Sequence, residues 1–137
     1  MSVPVGKREE GKLQVLLEAQ QLASYTLHIC KNEKVFHKSY RWLLTQKIVN
    51  EALDVMSCVR RANAVRVESK QDYLYRHQQQ VEAHAHIEAL LGLIDLAYAA
   101  LSIDGKRIEY WTGLAISADN TLRKWTSADK TRYKDVS

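Results

Sequence analysis

Proline occurs once, at Pro4, and glycine five times in 137 residues. A β-sandwich or barrel needs a turn roughly every 8–12 residues, drawn largely from those two residue types. An all-β fold is therefore excluded and an all-helical one favoured. Cysteine occurs twice, at Cys30 and Cys58, without C-x-x-C spacing and inside apolar helical sequence. That excludes a disulfide-stapled framework and fits two reduced, buried thiols. No Gly-rich phosphate loop is present. No uninterrupted apolar run reaches the roughly 18 residues of a membrane span, and the opening MSVPVGKREEGK has no signal-peptide core. The expectation is a soluble, cytoplasmic protein with no membrane partner.

What is present is apolar periodicity. Hydrophobic residues make up 46% of the chain and charged residues 26%, a globular balance, and the length suits one domain. Residues 1–8 read as a disordered leader, 9–127 as a four-helix-bundle domain and 128–137 as a frayed polar tail. The first helix is predicted over Glu9–Lys31 with two stripes, Leu13/Leu16/Leu17/Leu27 and Val15/Leu22/Tyr25/Ile29. The segment Phe36–Ala64 has no glycine or proline and also carries two stripes. Tyr40, Leu44, Ile48, Val55 and Val59 are assigned to the core. Trp42, Val49, Leu53 and Met56 are left for a further helix, including one from another subunit.

Ser69 and Asp72 read as a capping box for a third helix running to Leu101. Its second half pairs a core stripe, Ile87/Leu90/Ile94/Ala97/Leu101, with a small-residue stripe through Ala85, Ala89, Gly92, Leu96 and Ala99. Asp104 caps a fourth helix over Lys106–Thr126, whose apolar spacing is the most regular in the chain: Ile108, Trp111, Ala115, Ala118, Leu122, Trp125. Short connections make successive helices antiparallel, giving an up-down antiparallel four-helix bundle. The spare stripes predict self-association, with Trp42, Val49, Leu53, Met56, Ala89, Gly92 and Leu96 as interface residues.

Few side chains suggest catalysis. His77, His84 and His86 share the third helix with Glu82 and Glu88, but no Glu-x-x-His motif is present and no matching inward carboxylates are evident elsewhere. They read as a solvated polar half-helix with i,i+4 pairs, so neither metal nor cofactor is expected. Neither cysteine has a base at a readable spacing, and the chain reads as a non-enzyme. The net charge of +4 is uneven, since residues 1–70 hold 12 Lys and Arg against 7 Asp and Glu. Lys38, Arg41, Lys47, Arg60, Arg61, Arg66, Lys70 and Arg76 are the candidate nucleic-acid-binding residues, with Lys47–Glu51 and Asp54–Arg61 as possible neutralising pairs.

The run Phe36-His37-Lys38-Ser39-Tyr40-Arg41-Trp42-Leu43-Leu44-Thr45-Gln46-Lys47-Ile48, followed by Ala52-Leu53-Asp54, resembles a known family. It is similar to the four-helix-bundle proteins encoded in 23S rRNA intervening sequences, above all the branch of the accessory variability determinant (Avd-like) of diversity-generating retroelements. Leu96-Ala97-Tyr98 and Trp125 resemble that branch's later helices, and the likeness spans residues 10–126. His37 stands where the branch has proline. Leu91 and Asp95 stand where it often carries basic residues, which moves the expected nucleic-acid surface to the second helix and the Arg60–Arg76 region. The resemblance implies a homopentameric barrel and a non-enzymatic accessory protein. Its implied partners are a reverse transcriptase and RNA or DNA during mutagenic cDNA synthesis. The alternative within the same family is an oligomeric structural or protein-interaction module without nucleic-acid activity.

Overall fold

A computed structural model describes residues 5–137, with side chains from Gly11 onward. Helices α1 (Val5–Cys30), α2 (Gln46–Ala64), α3 (Lys70–Leu101) and α4 (Gly105–Arg132) make up almost all of it. Helices adjacent in sequence pack together, and α4 closes against α1. Cross-helix pairs set the directions. Trp111 and Ser117 of α4 bond Thr26 and Glu18 of α1, so one number rises as the other falls. Arg76 and His84 of α3 meet Asp129 and Asp119 of α4 in the same reversed order. Arg76 and His86 likewise reach Val65, just past α2, and Glu51 within it. The expected up-down antiparallel bundle results.

Each helix buries one stripe at three- and four-residue spacing. The stripes are Val15/Ala19/Leu22/Ile29, Ile48/Ala52/Val55/Val59, Ile87/Leu90/Ile94/Ala97 and Trp111/Ala115/Ala118/Leu122/Trp125. Burying one large side chain in such a stripe contributes about 1.5–3 kcal/mol. The small residues on α2 and α4 let those helices approach their neighbours closely. Of the two stripes on α1, only the one through Val15 and Leu22 is buried; Leu13, Leu17 and Leu27 face outward. Val49 and Met56, on the second α2 stripe, pack at the core's edge. Two flanking helices of the same chain therefore account for much of the doubled pattern.

The start of the second helical segment departs from its sequence reading. Lys38–Tyr40 forms a tight 3-10 turn and Arg41–Thr45 a wide π turn, in which Gln46 N–H donates to the Arg41 carbonyl. These turns hold different numbers of residues from an α turn, so the stripe loses phase there. Leu44 still points inward, while Tyr40, expected in the core, is 37% exposed. Phe36 anchors the preceding loop on the core, at 2% exposure.

The termini also differ from expectation. Of the predicted leader, residues 1–4 lie outside the described residues and α1 already begins at Val5. The predicted frayed tail continues α4 to Arg132, and Asp129 within it is fully buried. Beyond α4, Ser137 accepts a hydrogen bond from the Lys70 N–H at 3.0 Å. Ser69 caps α3 by accepting from Asp72 N–H, and Asp104 caps α4 by accepting from Lys106 N–H. Ser102 ends α3 in the left-handed region (φ 54°). By length and mean hydropathy α3 is long and apolar enough to cross a membrane, which contiguous apolar runs did not reveal. Its core stripe packs within the bundle, and it also buries Arg76, Gln79 and Gln80.

Candidate functional site

Three parts of the molecule carry chemistry: the cations of the α2 segment, a buried charge cluster at the α3–α4 ends, and a histidine layer between them. Lys38, Arg41, Lys47, Arg60, Arg61 and Lys70 are exposed. None of the six is in an ion pair among the described residues. Lys38 and Arg41 stand at the tight turn before α2, beside a cleft of about 200 Å³ that Cys30 and Phe36 also line. Arg60 and Arg61 stand at the far end of α2. At a rise of ~1.5 Å per residue, Lys47 and Arg60 are about 20 Å apart along the helix. The structure therefore spreads these cations along the length of the α2 segment and onto the start of α3, and does not gather them into a pocket. Arg66 pairs with Glu68 at 3.2 Å, with both side chains largely in solvent, which contributes little.

Arg76 does not belong to this surface. It is 1% exposed, and its guanidinium donates to both Asp129 oxygens, at 2.7 and 3.2 Å, and to the Val65 carbonyl at 3.3 Å. It also lies 4.9 Å from the Trp125 ring centroid. Asp129 accepts further bonds from Gln80 Nε2 and Arg132 Nη1. An arginine buried this way, with three of its donors engaged, holds the fold and lies out of reach of a phosphate in solvent. Sequence reasoning placed it outside because its immediate neighbours are polar and its carboxylate lies 53 positions further along.

The histidines are likewise not a solvated face. His84 Nδ1 donates to Asp119 Oδ1 at 2.6 Å, and His86 Nδ1 donates to Glu51 Oε2 at 2.6 Å. Asp54 lies 4.0 Å from His86. The inward carboxylates missing from the sequence reading are thus Asp119 and Glu51, each on a neighbouring helix. Two consequences follow. Glu51, expected to neutralise Lys47, is turned to His86. Asp54, expected to neutralise Arg61, forms no ion pair with it.

Ligand atoms of His84, Glu88 and Asp119 lie within 4.8 Å of one another, a separation that a metal ion could bridge. Arg123 already bridges two of these groups. Its Nε sits 3.1 Å from Asp119 Oδ2, and its Nη2 donates to His84 Nε2 at 3.4 Å. The guanidinium supplies the positive charge there, and the set reads as a hydrogen-bonded relay.

Neither cysteine is poised for chemistry. Burial pushes the Cys30 thiol up to about 12. Burial also raises Cys58, helped by Glu82 and opposed by Arg61. A thiol held protonated at neutral pH is a poor nucleophile.

The predicted interface residues divide. Trp42 is 73% exposed, as is its unpredicted neighbour Leu43 at 72%. Ala89, Gly92 and Leu96 lie exposed on α3, whereas Val49, Leu53 and Met56 are half-buried. A Cβ added at Gly92 meets nothing within 4 Å, so that glycine has no packing reason inside the chain. Compared with known proteins, the chain matches no family model, no curated protein and no solved structure.

Proposed function

We propose that this protein is a non-enzymatic bundle that self-associates through its exposed apolar faces and binds nucleic acid along the α2 edge. Its place would be as an accessory protein of a diversity-generating retroelement, supporting a reverse transcriptase during mutagenic cDNA synthesis in the cytoplasm. The assembly implied by the resemblance is a homopentamer. The observation that carries the reading is the set of six exposed cations without ion pairs: three on the family-like run from Phe36 to Asp54, two at the far end of α2, and Lys70 at the start of α3. Because His86 engages Glu51 and not Lys47, more positive charge is left for phosphates than the sequence suggested. Trp42, Leu43 and Leu96 supply apolar surface of the kind that marks protein contacts.

The test joins light scattering with RNA and DNA binding at several salt concentrations. Self-association and a steep fall of affinity with salt are expected. The double variant Arg60→Gln/Arg61→Gln is expected to flatten the logarithmic salt slope by roughly 0.7 per cation removed on a single strand. A monomer whose affinity ignores salt would sink both parts. Co-purification with a reverse transcriptase tests the partner separately. A second reading, an oligomeric structural module without nucleic-acid affinity, is favoured by the withdrawal of Arg76 from the surface and by Asp54, which interrupts the cations of α2. It predicts the oligomer without the salt-dependent binding.

A further inference from the structure

A groove of about 340 Å³ opens between α3 and α4, between the Arg76–Asp129 cluster and the His84–Asp119 pair. Its deepest polar group is Gln80, 1% exposed. Asp129 can only accept, so the 2.8 Å contact fixes the Gln80 amide nitrogen on that side. The amide oxygen, Oε1, is left buried with no donor. The neighbouring His77 Nδ1 is also buried without a partner, its ring stacked on Tyr73. Buried polar atoms are nearly always satisfied, and two orphans just beneath the wall of one groove, on residues that line it, call for a hydrogen-bonding guest.

The rest of the groove narrows what that guest is. Lys130 stands exposed at one side and makes no ion pair among the described residues. Arg123 lies at the other, its side chain 63% exposed, with only one edge engaged by Asp119 and His84. Two cations at a rim select an anion. Val81 and Leu122 give apolar walls, which a bare inorganic anion would leave in contact with water. Gln80 Oε1 requires a donor, which a fully ionised phosphate or carboxylate lacks. A metal ion or an organic cation is disfavoured by Arg123 and Lys130.

We infer that the groove binds a purine nucleoside monophosphate. Its phosphate would lie between Lys130 and Arg123, its base along Val81 and Leu122, and its exocyclic amine would donate to Gln80 Oε1. None of the six α2-edge cations lines this groove, so the site stands apart from the nucleic-acid surface proposed above.

The test is calorimetric titration of the full-length protein with adenosine 5′-monophosphate, inorganic phosphate, and purine riboside 5′-monophosphate, which lacks the amine. Lys130→Ala and Ser127→Trp both change exposed positions at the groove, and circular dichroism confirms that each variant stays folded. Saturable binding of adenosine monophosphate is expected, weakened about tenfold by loss of the amine and about tenfold by Lys130→Ala. Ser127→Trp, which fills the mouth, is expected to abolish it while leaving RNA affinity and its salt slope unchanged. No saturable binding would overturn the inference, as would binding undiminished in Ser127→Trp or inorganic phosphate binding as tightly as the nucleotide. Loss of RNA affinity in Ser127→Trp would overturn the separateness of the two sites. Failure of RNA binding in the unaltered protein, with nucleotide binding intact, would remove only the α2 surface.

Discussion

Trp111 and Trp125 belong to one buried stripe of α4, about four helical turns apart, yet their surroundings differ in kind. The Trp111 indole donates to Thr26 Oγ1 at 2.9 Å, and Thr26 donates on to the Leu22 carbonyl at 2.7 Å. Phe36 and Tyr25 meet the Trp111 ring edge-on. Trp125 has a guanidinium over its face and an indole nitrogen without a partner. Beside it, Asp129 is bonded by three side chains, while Gln80 Oε1 and His77 Nδ1 stay unsatisfied. The Trp111 end satisfies its buried indole, and its orphan is a single hydroxyl, Thr45 Oγ1, in the cleft beside Phe36. The Trp125 end holds more polar groups than the fold itself can satisfy, which is where binding belongs.

The strongest way to break the contrast is Asp129→Ala. It strands the Arg76 guanidinium inside the bundle, and a loss of about 3–5 kcal/mol is expected in urea unfolding. Replacing the pair together, Arg76→Met with Asp129→Leu, is expected to recover most of that loss, because the charge and its desolvation leave at the same time. If the double variant were as unstable as the single one, the cluster would be packing and not charge.

At the other end, Thr26→Val leaves the Trp111 N–H buried and unpaired, for an expected loss of about 1–3 kcal/mol. The same substitution logic has no counterpart at Trp125, whose nitrogen is already unpartnered.

The third test uses pH. The Cys30 thiol rises from 9.0 to about 12 because it is buried. Its folded pKa lies above its unfolded one, so the folded state holds the proton more tightly. The contribution is fully present below about pH 9 and is lost as pH climbs toward 12. Cys30→Ala is expected to show a smaller fall in unfolding free energy between pH 8 and pH 10.5 than the unaltered chain; parallel curves would refute it. The smallest effect is expected from Arg66→Ala, within about 0.5 kcal/mol, since its bridge to Glu68 is bathed in solvent.

What could be read from the sequence follows from the range of the interactions. The α4 stripe and the caps at Ser69 and Asp104 are local, and residues within four positions of one another encode them. Lys47 and Arg61 were visible as residues, but not their lack of an ion pair, which depends on His86 in another helix. Arg76, His84 and His86 were misread for one reason: their carboxylates lie 35 to 53 positions away, and periodicity carries no record of what faces a side chain across a bundle. Tyr40 failed differently, through a local change of helical pitch that apolar spacing does not encode. The groove between α3 and α4 left no sequence signal, because its residues come from two helices and are individually ordinary.

Only Ser102, Ile103 and Asp104 separate α3 from α4, so the two longest helices form a hairpin closed at one end. Closing so short a loop is cheap in entropy, and pairing can spread from Ile103 outward. Arg76 and Asp129 lie near the opposite, open end, where a hairpin closes last and opens first. Their buried bond works as a clasp that sets how easily the two helices part. Amide exchange in the last two turns of α4 should therefore report the strength of that clasp before any global unfolding begins.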